Sequence, residues 1–77
     1  MPDSEPFTIR GKVVRVELEG GFWGVVDSEG NRYVPISPFL PEIQKDGLNI
    51  LAHIELVTVF STTMWGKHAR FHSIQGV

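Results

Sequence analysis

Two closely spaced turn signals constrain this chain more than any other feature. Glu19-Gly20-Gly21 places adjacent glycines where a chain reversal needs positive φ, and Asp27-Ser28-Glu29-Gly30-Asn31 gathers acidic, amide and glycine turn formers. The segments beside them are short and rich in β-branched and aromatic residues, so Phe22–Val26 and Arg32–Ile36 read as strands. Gly24 marks a bend or a close packing contact in the first. Pro35, which has no ladder donor, brings the second to an edge or an end. Ahead of the first turn, Phe7, Ile9, Gly11 and Val13 share one face of a two-residue period, while Val14, Val16 and Leu18 continue it in the opposite parity. The change at Val13–Val14 predicts either a β-bulge or a stretch buried on both faces.

Ser37-Pro38 opens a different kind of segment. Serine at a cap followed by proline at the first helical position starts a helix, Pro41 keeps it short, and Asp46-Gly47 closes it. One or two turns are predicted within 38–45, with Phe39, Leu40 and Ile43 placed to plug an open barrel end. From Leu48 to Phe60 the alternation of Leu48, Ile50, Ala52, Ile54 and Leu56, then Val57-Thr58-Val59-Phe60, favours a strand over a helix. Ser61-Thr62-Thr63 is a polar connection, and Met64-Trp65-Gly66 leads into a last strand, Lys67–Ile74. Residues 1–6 read as a flexible tail ahead of one domain over 7–77. The order is β-β-β-α-β-β. Five strands leave two apolar edges in water unless the sheet closes. The expected fold is therefore all-β: a small five-stranded OB-like barrel with a short helix between strands 3 and 4, an SH3-like or other small barrel being the alternative.

Composition narrows the chemistry. Seventy-seven residues hold one hydrophobic core. The absence of cysteine excludes disulfides, a cysteine nucleophile and thiolate metal sites. The net charge of −2 argues against a general nucleic-acid binder, which is normally basic. No apolar run approaches the roughly 18 residues of a membrane helix, and the acidic start MPDSEP is unlike a secretion signal. A cytoplasmic protein is expected. His68 and His72 share a face of the last strand but stand about 13 Å apart along it, too far to ligate one metal. Glu17, Glu19, Asp27 and Glu29 flank the hairpins without a calcium-loop spacing, and Gly20-Gly21 precedes no phosphate-binding helix. No enzyme activity, metal or cofactor is expected.

Aromatic and cationic residues are the remaining candidates. Phe22, Trp23 and Tyr33 fall on adjacent strands, where aromatics of an OB-like sheet can stack on bases, and Arg10, Lys12, Arg32 and Arg70 could meet phosphates. Only one of the neighbours Phe22 and Trp23 can face inward. Trp65, at a strand entry, would anchor a partner if exposed and close the barrel if buried; burial is favoured because a small domain needs its large side chains.

The strings Gly20-Gly21-Phe22-Trp23-Gly24-Val25-Val26, Asp27–Asn31, Pro35-Ile36, Lys45-Asp46-Gly47-Leu48 and Met64-Trp65-Gly66 resemble a family of small uncharacterised bacterial OB-like barrel domains with GGFWG and MWG motifs. The resemblance covers residues 11–75 and implies the fold and a bacterial origin, but no substrate. Some members resemble envelope lipoprotein domains, whose lipid attachment needs a cysteine this chain lacks. The cold-shock nucleic-acid binders are echoed only loosely, because their basic–aromatic pattern is absent.

Three functions follow in order of preference. The first is a small protein-interaction module, which requires an exposed apolar patch near Trp23 or Trp65. The second is single-stranded nucleic-acid binding, which requires Tyr33 and one of Phe22 or Trp23 exposed beside Arg10, Arg32 or Arg70. The third, a metal-binding or enzymatic domain, requires histidines and a carboxylate to converge.

Overall fold

In the computed structural model, which describes residues 5–18, 20–37, 39, 41–58 and 65–77, both turn signals reverse the chain between antiparallel strands. β1 (Phe7–Val16) pairs with β2 (Phe22–Asp27), β2 with β3 (Arg32–Pro35), and β4 (Asn49–Leu56) with β5 (Lys67–Gly76). Gly20 and Gly21 take the positive φ the first turn requires, 84° and 90°. Two further pairings close the sheet. β4 runs antiparallel to the first half of β1, from Phe7↔Ile54 to Lys12↔Asn49, and β5 runs parallel to β3, from Tyr33↔Lys67 to Pro35↔Ala69. The result is an all-β, five-stranded closed barrel of order β1-β2-β3-β5-β4, in which no strand is left as an edge.

The core is built from the inward residues of all five strands and one plug. Val13, Val25, Ile50 and Ile54 are fully buried, with Ile9, Tyr33, Ala52 and Ala69 around them. β1 shows no register shift against β2 or β4, so the bulge expected at Val13–Val14 is absent. The alternative holds instead: Val13 belongs to the core, and Val16 is buried on the opposite face. A register shift does occur between β4 and β5. Ile54 pairs with Phe71 and His53 with Ser73, which leaves His72 as the extra residue of a bulge.

The helix expected within 38–45 is a single 3-10 turn, Pro41–Ile43. The Gln44 amide bonds the Pro41 carbonyl at 3.1 Å and the Lys45 amide bonds that of Ile43 at 2.7 Å, and the Asp46-Gly47 turn follows before a helix propagates. Phe39 fills the barrel end and is buried, whereas Ile43 is only half-buried; Pro38 and Leu40 lie outside the described residues. The Asp46-Gly47-Leu48 turn also completes β1. Its Gly47 amide donates to the Val13 carbonyl, its Leu48 carbonyl accepts from the Val13 amide, and Asp46 Oδ1 accepts from the Arg15 amide at 2.8 Å. β1 thus keeps backbone partners on this side after β4 has ended.

Candidate binding surface

The registers lay out the outer face of β1, β2 and β3 rung by rung. Val25 and Tyr33 belong to the core, so strand alternation sends their neighbours outward. Lys12, Val26 and Arg32 share one rung; Val14 and Gly24 share the next; Val16 and Phe22 share the third. Arg10 precedes Lys12 on the same face of β1.

Trp65, just ahead of β5, lies on this face. A Cβ at residue 24 would meet the indole Cζ3 at 2.6 Å, so only glycine leaves the ring its place. The indole meets Phe22 edge-on, with ring centroids 5.9 Å apart and planes at 80°, and the Arg32 guanidinium stands 5.6 Å from its centroid. Val16 and Val34 are buried although neither belongs to the core cluster, which makes the outer face a second, smaller apolar site. Trp65 itself is half-buried, and Met64 lies outside the described residues.

Trp23 points the other way and packs against the core, so Phe22 is the outward member of the pair. Arg15, its register partner, stands 5.4 Å from its indole centroid and bonds Glu17 through Nε at 2.8 Å. Tyr33 is not a stacking residue. It is 5% exposed, and its hydroxyl donates to Asp27 Oδ2 at 3.2 Å. Burial raises the tyrosine pKa, and the charges of Asp27 and Glu29 add to the rise. Asp27 organises the β2–β3 turn: Oδ1 accepts the amides of Glu29 and Asn31 at 2.9 Å each, and Oδ2 accepts the Asn31 side-chain amide at 3.1 Å. Burial pushes the Asp27 carboxyl up, but these hydrogen bonds together outweigh it and hold the group below the ordinary 3.8.

Two depressions flank the Val26–Arg32 rung. A groove of about 560 Å³ is bordered by Arg10, Lys12, Val14 and Val26, and a hollow of about 410 Å³ by Arg32, Trp65, Lys67 and the β2–β3 turn. None of Arg10, Lys12, Arg32 and Lys67 has an ion-pair partner among the described residues. Of these four, Lys67 alone has no signal in the sequence, because its place depends on the β3–β5 pairing.

Arg70 lies elsewhere. It belongs to β5 opposite Glu55 of β4, with Nη1 4.0 Å from Glu55 Oε1. The bulge brings His72 Nε2 to 3.0 Å from the same oxygen, and sets His53 and His72 with ring centroids 6.2 Å apart. No group of three or more His, Asp or Glu side chains among the described residues is arranged to hold a metal ion.

No helix among the described residues is long and apolar enough to cross a membrane. Comparison with family models, curated proteins and solved structures returns no match to this chain.

Proposed function

We propose that the chain is a small binding module that takes single-stranded nucleic acid along the outer face of β1, β2 and β3. The observation that carries this reading is the track of cations, Arg10, Lys12, Arg32 and Lys67, without ion-pair partners among the described residues, beside the half-buried Phe22–Trp65 pair. Phosphates would lie on the cations, and a base would stack on the open part of the Trp65–Phe22 edge, a contact of about 1–3 kcal/mol per base. The strand order, with β3 and β5 parallel, is the one we read as OB-like, and OB barrels hold oligonucleotides on strands 2 and 3 with the β1–β2 and β4–β5 connections. Trp65 stands at the end of the second of these connections. The burial of Tyr33 removes one stacking residue from the reading, and Trp65 takes its place. No catalysis is assigned to this face, and a cytoplasmic location fits such a ligand.

An amide-resolved NMR titration with mixed-sequence single-stranded RNA and DNA at low salt tests the proposal. Shifts are expected at Arg10–Val14, Phe22–Val26, Arg32 and Trp65–Lys67, abolished by added salt and weakened in Arg32→Gln. An unchanged spectrum overturns it. The second reading, a protein partner, then takes over on the 51% exposed Leu18, which enters the β1–β2 connection near Phe22, and capture from a cell extract becomes its test.

A further inference from the structure

The barrel end that a helix would plug is only partly closed. A cleft of about 290 Å³ lies open between the 3-10 turn that follows β3 and β5. Its walls are apolar. Phe39 and Phe71 meet edge-on with ring centroids 5.3 Å apart, and the half-buried Ile43 and Ile74 flank them. Its rim is polar. Arg70, His72 and Ser73 stand on the β5 side, Ser37 and Glu42 on the side of the turn.

The β5 bulge shapes this rim. The extra residue sets His72 and Ser73 together between Phe71 and Ile74, so that two apolar side chains keep their core-facing pairings with Ile54 and Ala52 while two polar ones adjoin the cleft. Glu55 is not part of the lining. From outside, its Oε1 holds His72 Nε2 at 3.0 Å and stands 4.0 Å from Arg70 Nη1. Among the described residues that long contact is the one ion pair of Arg70, whose side chain is 57% exposed and carries five donors.

We propose that this cleft binds a small organic anion with an apolar body, its carboxylate held by Arg70 beside His72 and Ser73, its ring or chain against Phe39, Phe71, Ile43 and Ile74. The volume suits a single ring on a short chain and nothing much larger. Glu42 on the opposite lip repels the carboxylate and Glu55 opposes it from outside the lining, so the attraction rests on the exposed donors of Arg70. The same chemistry occurs in a free aromatic acid and in the C-terminal residue of a peptide ending in phenylalanine.

The test is an NMR titration of the full chain with 3-phenylpropionate, 3-phenylpropionamide and phenethylamine. Two copies of a short peptide ending in phenylalanine, one with a free carboxylate and one amidated, complete the set. The acid is expected to shift Phe39, Phe71, His72, Ser73 and Ile74, the neutral amide to bind about tenfold more weakly, and Arg70→Gln to lose a similar factor. Glu42→Gln is expected to tighten the acid. Binding of the free-carboxylate peptide as well as the acid assigns the cleft to chain termini; binding of the acid alone assigns it to small molecules. Equal binding of acid and amide, a preference for the amine, an unaffected Arg70→Gln variant, or no shifts with any probe overturns the proposal. Arg70 stands apart from the cationic track, so failure of the oligonucleotide titration and failure of this one are separate results.

Discussion

Gly24 shows how one missing side chain organises a surface. The indole of Trp65 occupies the space a Cβ would take, 2.6 Å from its Cζ3, and the ring then gains Phe22 and Arg32 as neighbours. Gly24→Ala is expected to lift the indole from β2 and cost about 1–3 kcal/mol, the usual range for overpacking a tight contact. In a Trp23→Phe background the Trp65 fluorescence would shift to the red, and an unchanged spectrum would refute the placement. Asp27 supports a prediction of a different kind. Its folded pKa lies below the ordinary 3.8, so its carboxylate adds stability that is fully present above that value and is lost as pH falls through the lower folded one. Asp27→Asn is therefore expected to melt below the native protein at neutral pH, with the gap narrowing under about pH 3.8. Thermal melts between pH 7 and pH 2 check this. The buried Tyr33 acts at the other limit: its pKa is raised above 10.0, so the stability it contributes is present below pH 10 and is lost as pH rises further.

Among the elements, β3 makes the shortest joins in the closed sheet. It has two paired positions with β2 and three in its parallel pairing with β5, against six for β1–β2 and six for β1–β4. Gly66 sits beside the first rung of the β3–β5 pairing, where a Cβ would come 2.7 Å from the Arg32 carbonyl oxygen. Gly66→Ala is expected to force β3 and β5 apart there, to destabilise by about 1–3 kcal/mol, and to speed hydrogen exchange at Ile36 before the β1–β2 ladder is affected. Ile36 is the reporter because its amide bonds the Ala69 carbonyl at 3.0 Å. The elements themselves were largely legible in the chain. Turn chemistry located β2 and β3, and alternation identified the inward residues of β4. In the 38–45 segment Pro41 and the Asp46-Gly47 turn limit the chain to one short turn, and what the sequence does not specify is that this turn is 3-10 rather than α.

At the scale of the molecule, charge and closure govern what the surface can bind. A net charge of −2 repels a polyanion at long range, so attraction must come from the local track of Arg10, Lys12, Arg32 and Lys67. The oligonucleotide titration should then show weak affinity that collapses as salt rises, with a slope of about −0.7 per phosphate contacted. Neutralising Lys12 or Arg32 should flatten that slope, whereas a salt-independent affinity would point to an apolar contact instead. Of the candidate site, Arg32 and Trp65 were legible from the sequence and the structure brings them together. Tyr33 was misassigned because an aromatic on a strand has the same local signature whether it faces base or core. Which of Phe22 and Trp23 faces inward is likewise decided by packing, and Arg70 lies away from the track because its neighbours are set by β4.

Sequence alone determined the two hairpin reversals, the alternating strands and their need to close, since glycine φ, Asx turns and a two-residue period are properties of neighbouring residues. Tertiary structure decided the rest: that Trp23 turns in and Phe22 out, that Trp65 covers Gly24, that His72 bulges beside Glu55, and that a cleft opens under a single 3-10 turn. Each of these depends on registers between distant segments, such as Thr8 with His53 or Tyr33 with Lys67. Such registers are selected by the packing of the whole barrel, because a one-residue slip would exchange every inward side chain for an outward one and no local preference opposes it.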